Sequence, residues 1–261
     1  NSAAPFADRW LYGTMVALFI AVWVAFSPAL DNDFVSWDDP TYVLENPMVS
    51  HPDDAHTADL WRTPVSLNYH PLTMMTLVWN SRSADHARPS DPPNAGPFIR
   101  TNIWLHALTT LLVLLFIHRL TRGNLAVAAF CAAVFALHPM HVESVVWVSE
   151  RKDVLYAFFF MAGLCTWMNW SRHGKPLWYA ATLLLLVASC LSKAMAVVFL
   201  SAADDPESRA KAREAGGAEY LVKPFEASEV LDRVRLHAHL SRALKENASL
   251  RAELASLRAR V

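Results

Sequence analysis

The sequence predicts a mostly α-helical protein: a polytopic membrane helical bundle of about five spans, then a partial α/β fragment and a C-terminal coiled-coil helix. Residues 1–200 contain only 26 charged side chains, whereas the 61 residues of 201–261 contain 21. Apolar stretches in the first part approach the roughly 20 residues that a bilayer-spanning helix needs. Beyond residue 236, apolar side chains recur at heptad spacing. The predicted domains are therefore 1–198, 199–236 and 237–261.

The membrane spans are predicted at 11–30, 98–120, 125–137, 154–170 and 177–200. The first is interpreted as a retained helix and not a signal peptide, because it lacks a basic n-region and a small-residue cleavage site. The third is short, and residues 139–148 are a candidate extension of it. Aromatic residues near the span ends are typical of the membrane interface.

Lysine and arginine in short loops predict the orientation. Two such loops, near residues 119–122 and 172–175, are basic and should be cytoplasmic. Residues 31–97 hold ten acidic residues and three arginines, so this long segment is predicted on the outer side together with 138–153. Loops of that length are usually functional or disordered, and short interfacial helices are expected within it.

Asp38 and Asp39 are the candidate catalytic residues on the outer face. A carboxylate in a low-dielectric site is suited to proton abstraction from a hydroxyl, and its neighbour can orient it. The alternative is structural, because Asp-Asp-Pro is a common turn sequence.

A second group of polar residues gives further candidates. His138, His141 and Glu143 have the spacing of a partial metal site, but Pro139 breaks helical geometry and a fourth ligand is not apparent, so no metal is predicted. Arg151 and Lys152 are suited to phosphate oxygens, although such residues also snorkel at span ends.

Lys193 interrupts the apolar run that forms the fifth predicted span. An ionisable residue inside a membrane is a functional candidate by default. The alternative is a lysine that snorkels from near the end of the span.

Four strings, in order, resemble bacterial relatives of the transmembrane and tetratricopeptide-repeat-containing O-mannosyltransferases. They are Phe34-Val-Ser-Trp-Asp-Asp, Asn68-Tyr-His-Pro-Leu-Thr, Ala136-Leu-His-Pro-Met-His-Val-Glu-Ser-Val-Val-Trp and Glu150-Arg-Lys-Asp-Val-Leu. Leu191-Ser-Lys-Ala-Met-Ala-Val is similar to a further family stretch, with Ala194 where the family usually has proline. The resemblance covers about residues 10–198.

This resemblance implies a GT-C-type fold, a polyprenyl- or dolichyl-phosphate-linked sugar donor and a protein Ser/Thr hydroxyl as acceptor. It assigns Asp38, by preference over Asp39, as the base that activates the acceptor. It assigns Arg151, Lys152 and His70 to the donor phosphate. No cofactor is implied. The family's later membrane helices and repeats are not found in this sequence, which is therefore predicted to be a truncated module.

Residues 198–240 resemble the second half of a response-regulator receiver domain. A short strand ends at Ser201, a helix is predicted at 206–215, a strand edge follows at 219–222, and Lys223-Pro224 forms a turn. The resemblance makes Ser201 the switch hydroxyl and Lys223 the phosphate-contacting lysine. Because the first strands and the phosphoacceptor are not found, no phosphorelay activity is predicted.

The last segment places apolar residues at heptad a and d positions, with Asn247 at one a position, which favours a parallel homodimer through 236–261. A single docked amphipathic helix is the alternative. Nucleic-acid binding is not supported, since no basic stripe with interleaved aromatics is present.

Three functional hypotheses follow from the sequence. The first is a membrane glycosyltransferase in a bacterial inner membrane, inactive in this chain because the modules are incomplete. The second is a membrane-anchored signalling adaptor with a dimerising tail. The third is a chain without any function, because each module lacks needed parts. Apart from these hypotheses, the sequence favours a fusion of two truncated genes with its seam between about residues 194 and 200.

Overall fold

The computed structural model of the protein describes residues 4–52, 57–66, 68–84, 93–193, 197–201 and 217–222. The helices within these ranges are α1 (Ala4–Phe26), α2 (Pro47–Ser50), α3 (Thr57–Leu60), α4 (Pro71–Ser83), α5 (Gly96–Leu120), α6 (Leu125–Leu137), α7 (His141–Val146), α8 (Arg151–His173) and α9 (Pro176–Ser192). Short 3₁₀ turns cover Ser27–Asp31 and Val148–Glu150, and a π-helical turn covers Pro40–Leu44. The chain divides into two compact units, Asn1–Ala194 and Met195–Val261.

Three helical segments are long and apolar enough to cross a membrane: Arg9–Asp31, Gly96–Leu120 and Val148–His173. α6 and α9 are also apolar but have only 13 and 17 residues. With a rise of 1.5 Å per residue, α6 extends over about 20 Å, which is less than a bilayer core of about 30 Å. Of the five spans predicted from the sequence, three are therefore supported in the described part of the chain.

The fifth predicted span is corrected at its C-terminal end. α9 ends at Ser192, and the backbone of Lys193 is extended, with φ −142° and ψ 119°. Val197–Ser201 is a strand and not the last turns of a helix, in keeping with the β-branched side chains of Val197 and Val198. The prediction of one continuous helix over 177–200 is wrong.

The candidate extension of the third span is also corrected. α6 ends at Leu137, and His138 has an extended backbone with ψ 131°. A residue that precedes proline is disfavoured in the α conformation, and Pro139 follows His138. A separate short helix, α7, then begins at His141.

α5 is the central helix of the first unit. It packs against α1, α6 and α8, and α9 packs along α8. At Gly163 of α8, an added Cβ would lie 3.3 Å from Leu186 Cδ2 of α9. On α1, Val22 is fully buried while Val16 and Val24 are more than half exposed. An apolar exposed face of this kind is suited to lipid.

The segment between α1 and α5 contains the short helices that its sequence predicts. Apolar side chains from this segment, including Val43, Val49 and Leu77, are fully buried. They belong to the same apolar core as Val22 of α1 and Phe98 of α5. The segment is therefore a folded cover on one end of the bundle and not a plain connector.

The second unit contains two described strands, β1 (Val197–Ser201) and β2 (Gly217–Val222). They pair in parallel, with Ser201 opposite Val222 and an irregularity between Val197 and Val198. These strands fall at the two positions where the sequence predicts them. The predicted helix at 206–215, Lys223 and the coiled coil lie outside the described residues, so the receiver-like and dimer assignments stay predictions.

Candidate active site

Asp39 joins the loop after α1 to the segment that precedes α8. Its carboxylate is fully buried. Oδ2 accepts a hydrogen bond from the main-chain N–H of Val35 at 2.8 Å. Oδ1 accepts one from the main-chain N–H of Ser149 at 2.9 Å and another from the Ser149 hydroxyl. Because both carboxylate oxygens are engaged, this geometry is suited to an orienting role.

Asp38, by contrast, is partly exposed. The carbonyl oxygen of Asp38 accepts a hydrogen bond from the N–H of Tyr42 at 3.1 Å. The sequence Asp-Asp-Pro therefore does form a turn here. Among the described residues, none donates a side-chain hydrogen bond to its carboxylate. Asp38 is the last of the charges that act on the Lys152 ammonium, after Glu150 and Tyr42. A partly exposed carboxylate that an acceptor hydroxyl can reach is suited to take the proton of that hydroxyl.

Tyr42 and His70 form a stacked pair beside this turn. Their ring centroids are 5.4 Å apart with an interplanar angle of 29°. Asn68 Nδ2 donates a hydrogen bond to Tyr42 Oη at 3.3 Å. Lys152 Nζ lies 5.1 Å from the centroid of the Tyr42 ring, which is within the range of a cation–π contact. Tyr42 therefore connects the two sides of the site.

His70 is almost completely buried, with 2% of its surface exposed. Burial, with a smaller contribution from the nearby Lys152 charge, lowers the pKa of His70 from 6.5 to about 4. The imidazole is neutral at neutral pH and has one hydrogen-bond donor and one acceptor. Its Nε2 is buried and has no hydrogen-bond partner within the described ranges. His70 can hold a ligand by a hydrogen bond, but it brings no positive charge.

Lys152 supplies the positive charge of the site. Its ammonium lies 2.9 Å from Glu150 Oε1 and donates to the Ser149 carbonyl oxygen at 3.1 Å. An ammonium group has three donors, so one N–H is left for a ligand oxygen. Its contacts with Ser149 and the Tyr42 ring put Lys152 at the same end of the bundle as the Asp38–Asp39 turn, and its contact with a donor phosphate stays a prediction.

Arg151 does not share this position. It is fully buried; its Nε donates to Asn102 Oδ1, and its Nη2 donates to the Phe98 carbonyl oxygen at 2.7 Å. These bonds fasten the start of α8 to α5. The third nitrogen, Nη1, is buried and has no hydrogen-bond partner among the described residues. The contact of Arg151 with a donor phosphate stays a prediction.

Lys193 is in an ion pair and not in the middle of a span. Its ammonium pairs with Asp153 Oδ1 near the start of α8. The preceding residue, Ser192, accepts a hydrogen bond at its carbonyl oxygen from the Thr73 hydroxyl at 2.6 Å. The end of α9 is therefore held by both α8 and α4, near the candidate site.

His138, His141 and Glu143 do not form a metal site. His138 Nδ1 accepts from the Met140 N–H at 3.2 Å, His141 packs on Phe135 with centroids 4.7 Å apart, and Glu143 is exposed. Burial, and next the His138 charge, lower the pKa of His141. The described part of the chain has no group of three or more His, Cys, Asp or Glu side chains that could hold a metal ion.

Three buried polar residues were not identified from the sequence. Ser149 binds Asp39, as described above. Asn102 accepts from Arg151 and donates from Nδ2 to the Trp147 carbonyl oxygen at 3.1 Å. His106 Nε2 lies 3.0 Å from the Ala136 carbonyl oxygen. Asn102 and His106 are four residues apart, which puts them on one helix face. From this spacing, a polar face of α5 that points into the bundle could have been predicted.

For the receiver-like assignment, the structure describes only one of the two residues. Ser201 is the last residue of β1, and Lys223 lies outside the described residues.

Several curated proteins are similar to this chain. Human protein O-mannosyl-transferase TMTC4 is 27% identical over 208 residues, which is 68% of this chain and 27% of that protein. Drosophila melanogaster protein O-mannosyl-transferase Tmtc2 is 29% identical over 178 residues, or 63% of this chain and 18% of that protein. Human protein O-mannosyl-transferase TMTC1 is 28% identical over 158 residues, or 57% and 17%.

The chain thus spans about a quarter or less of the length of these relatives. No family model and no solved structure matches it. The N-terminal region resembles protein O-mannosyl-transferases, and together with its three apolar helices this resemblance supports an integral membrane protein.

Proposed function

We propose that the first unit is a membrane glycosyltransferase module that transfers a sugar from a lipid-phosphate-linked donor to a Ser or Thr hydroxyl of a protein. The names of the similar proteins suggest mannose as the sugar. Further support comes from the polar site at one end of an apolar helical bundle. A lipid-linked donor can reach such a site while its tail stays in the bilayer.

In the proposed reaction, Asp38 accepts the proton of the acceptor hydroxyl as the oxygen attacks the anomeric carbon. A carbon–oxygen bond forms to the acceptor, and the bond from the same carbon to the donor phosphate oxygen breaks. The phosphate leaves on its lipid with the bonding electrons. A direct displacement of this kind inverts the anomeric configuration and requires no covalent enzyme intermediate, metal or cofactor.

Lys152 stabilises the negative charge that develops on the leaving phosphate. Preorganised positive charge at the point where charge develops is usually a large contribution to catalysis. Glu150 and the Ser149 carbonyl oxygen hold the ammonium in place. His70 adds a neutral hydrogen bond from its buried ring, and Arg151 has a structural part in fixing α8 to α5.

The observation that carries this proposal is the hydrogen-bonded connection from the Asp38–Asp39 turn to Lys152 through Ser149. Asp39 Oδ1 accepts from the Ser149 N–H at 2.9 Å, and the Ser149 carbonyl oxygen accepts from Lys152 Nζ at 3.1 Å. The turn and Lys152 come from segments that are more than 100 positions apart in the sequence. A base and a phosphate-binding cation at one end of the bundle are the two groups that the displacement needs.

The proposal also includes the side of the membrane on which the site lies and the role of residues 199–261. We place the site on the outer face of a bacterial inner membrane, with the acceptor protein arriving from that side. Residues 236–261 are proposed to pair two copies of the chain, and residues 199–236 are proposed to have no phosphorelay activity.

Although the sequence predicts an inactive chain, we propose that the full chain transfers sugar, because the site residues described above are in place. The test is sugar transfer by the full chain, reconstituted in vesicles with polyprenyl-phosphate mannose and a Ser/Thr peptide. Asp38→Asn should lower kcat by 10²-fold or more, because general-base catalysis contributes about 10²–10⁴-fold. Lys152→Met should lower kcat to a similar extent, about 10²–10³-fold.

The matched control is Asp33→Asn, which removes an exposed carboxylate from the same loop. It should leave transfer unchanged. Equal rates for Asp38→Asn and the parent would overturn the proposal, and so would a parent chain that transfers no sugar under these conditions.

A further inference from the structure

We propose that Ser149 is a positioning residue that sets the distance between Asp38 and Lys152, acting through Asp39. This inference rests on the proposed function, because it concerns the same site. Ser149 has three polar atoms that take part in hydrogen bonds. Its main-chain nitrogen and its hydroxyl oxygen bond to Asp39, and its carbonyl oxygen bonds to Lys152. It is not a group that touches the substrate.

The first two atoms bind the acidic side. The main-chain N–H of Ser149 and its hydroxyl both donate to Asp39 Oδ1. Ser149 and Asp39 are both fully buried, with 0% of their surface exposed to solvent. Hydrogen bonds to a charged acceptor are roughly twice as strong as neutral ones. These bonds therefore hold the loop at Asp39, the residue next to the proposed base Asp38.

The third atom binds the cationic side. The carbonyl oxygen of Ser149 accepts a hydrogen bond from Lys152 Nζ at 3.1 Å. One residue thus holds the anchor of the base and the ammonium group at the same time. The main-chain N–H of Val35 donates to the other carboxylate oxygen of Asp39 at 2.8 Å. The carboxylate is therefore held at both of its oxygens.

The position of Ser149 in the chain argues against an ordinary capping role. Ser149 lies in the 3₁₀ turn just before α8, where a serine hydroxyl commonly caps the first helical turn. α8 has no side-chain cap, and its N-cap residue is Glu150. The hydroxyl of Ser149 bonds to Asp39 over 110 residues of sequence instead.

The first experiment measures position without activity. In a chain with Cys131, Cys165 and Cys190 changed to Ala, Asp38→Cys is labelled with a water-soluble thiol reagent. Adding Ser149→Ala should raise the labelling rate about tenfold, since a charge-assisted hydrogen bond of this strength no longer holds the loop. Ser81→Ala is the matched control: its buried hydroxyl donates to the Val49 carbonyl oxygen at 2.6 Å, with no link to Asp39.

The second experiment measures transfer. Ser149→Ala should lower kcat about tenfold or more with the KM for the lipid donor unchanged, whereas Ser81→Ala should leave kcat as it is. In an Asp39→Ala background, which removes the oxygen that accepts from Ser149, Ser149→Ala should cause little further loss, because Ser149 acts through Asp39. If Ser149→Ala does not purify as folded protein, Ser149→Cys keeps the volume with a weaker donor and takes its place.

Labelling and transfer separate this inference from the proposed function. Faster labelling in a chain without transfer activity supports the positioning role and contradicts only the proposed reaction. An unchanged labelling rate overturns the inference whatever the activity. Equal effects of Ser149→Ala and Ser81→Ala, or additive losses with Asp39→Ala, also overturn it.

Discussion

His70 illustrates how surroundings, at the scale of one residue, set the chemistry of a side chain. Its ring is stacked on Tyr42 and has 2% of its surface exposed. Burial makes the charged imidazolium costly, and the nearby Lys152 ammonium adds to that cost. At neutral pH the residue is a neutral hydrogen-bonding group inside a charged site.

The same burial predicts a pH dependence of stability. The folded pKa of His70 is about 4, below the ordinary 6.5, so the unfolded chain binds more protons between these values. The contribution of His70 to stability is complete above pH 6.5 and is lost as pH falls to about 4. Its full size is on the order of 3 kcal/mol. Melting temperatures in detergent should show this loss.

His70→Gln should flatten that part of the melting profile, because the amide does not titrate. His51→Gln is the control, since His51 is exposed, and it should leave the profile as in the parent. A His70→Gln profile that fell as steeply as that of the parent between pH 6.5 and 4 would contradict the prediction.

Arg151 and Lys152 explain why residue roles are hard to predict from a sequence. Both are cationic and adjacent in sequence, and the sequence predicts that both bind the donor phosphate. Consecutive residues of a helix point about 100° apart, so Arg151 turns into α5 while Lys152 faces Tyr42. The sequence could indicate that charge collects here, but not which of the two cations stays accessible. That choice depends on packing against α5.

At the scale of elements, the contact between α8 and α9 depends on a small residue. Gly163 lies on α8 opposite Leu186, and an added Cβ would sit 3.3 Å from Leu186 Cδ2. The Thr166 and Thr182 hydroxyls also meet across this contact at 2.9 Å. Small residues allow helix backbones to approach closely in membranes.

Gly163→Leu should separate the two helices and lower the melting temperature clearly, since overpacking costs about 1–3 kcal/mol. Gly163→Ala should be close to neutral, because a helix-propensity gain of about 1 kcal/mol offsets the tight contact. Gly13→Ala on α1 meets nothing within 4 Å and should be neutral or stabilising. A Gly163→Leu variant as stable as the parent would contradict this packing.

Element boundaries could be predicted only where local rules are strong. The starts of α5 and α9 carry proline at the first turns, a typical start signal. The end of α9 was predicted wrongly, because residues 193–200 are as apolar on average as the helix before them. Hydropathy alone does not distinguish a helix from a strand in such a run.

At the scale of the whole first unit, polar contacts gather at both ends of the bundle. At the end opposite the candidate site, Arg119 donates to Asn169 Oδ1 at 3.3 Å, and Arg172 donates to the Arg119 carbonyl oxygen at 3.5 Å. These contacts tie the end of α5 to the end of α8. The two basic loops of the sequence therefore lie at the same end of the bundle, and their cytoplasmic side stays a prediction.

Cysteine labelling in sealed vesicles can test this arrangement. Trp37→Cys and Met140→Cys, which replace two side chains that are each 75% exposed, should react from the same side. Gly123→Cys and Gly174→Cys, in the two basic loops, should react from the other side. Labelling of residues 37 and 140 from opposite sides would exclude a shared site for Asp38 and Lys152.

The sequence predicted the general arrangement of this unit but not the buried hydrogen bonds that hold its segments together. Apolar runs and motif strings indicated a helical bundle with two polar segments near one another, and Asp39 and Ser149 do meet. Ser149, Asn102 and His106 were not identified, because a single buried hydroxyl, amide or imidazole has no distinctive local pattern. Their partners are 30 to 110 residues away.

The bond between Asp39 and Ser149 also constrains the order in which the protein is made. While α1 is already in the bilayer, the ribosome still has more than 100 residues to add before the partner of Asp39 exists. Until then the carboxylate must stay hydrated, because burying an unpaired charge is costly. Closing such a long loop is slow relative to local helix formation, so the end of the bundle that holds the candidate site should assemble later than its individual helices form.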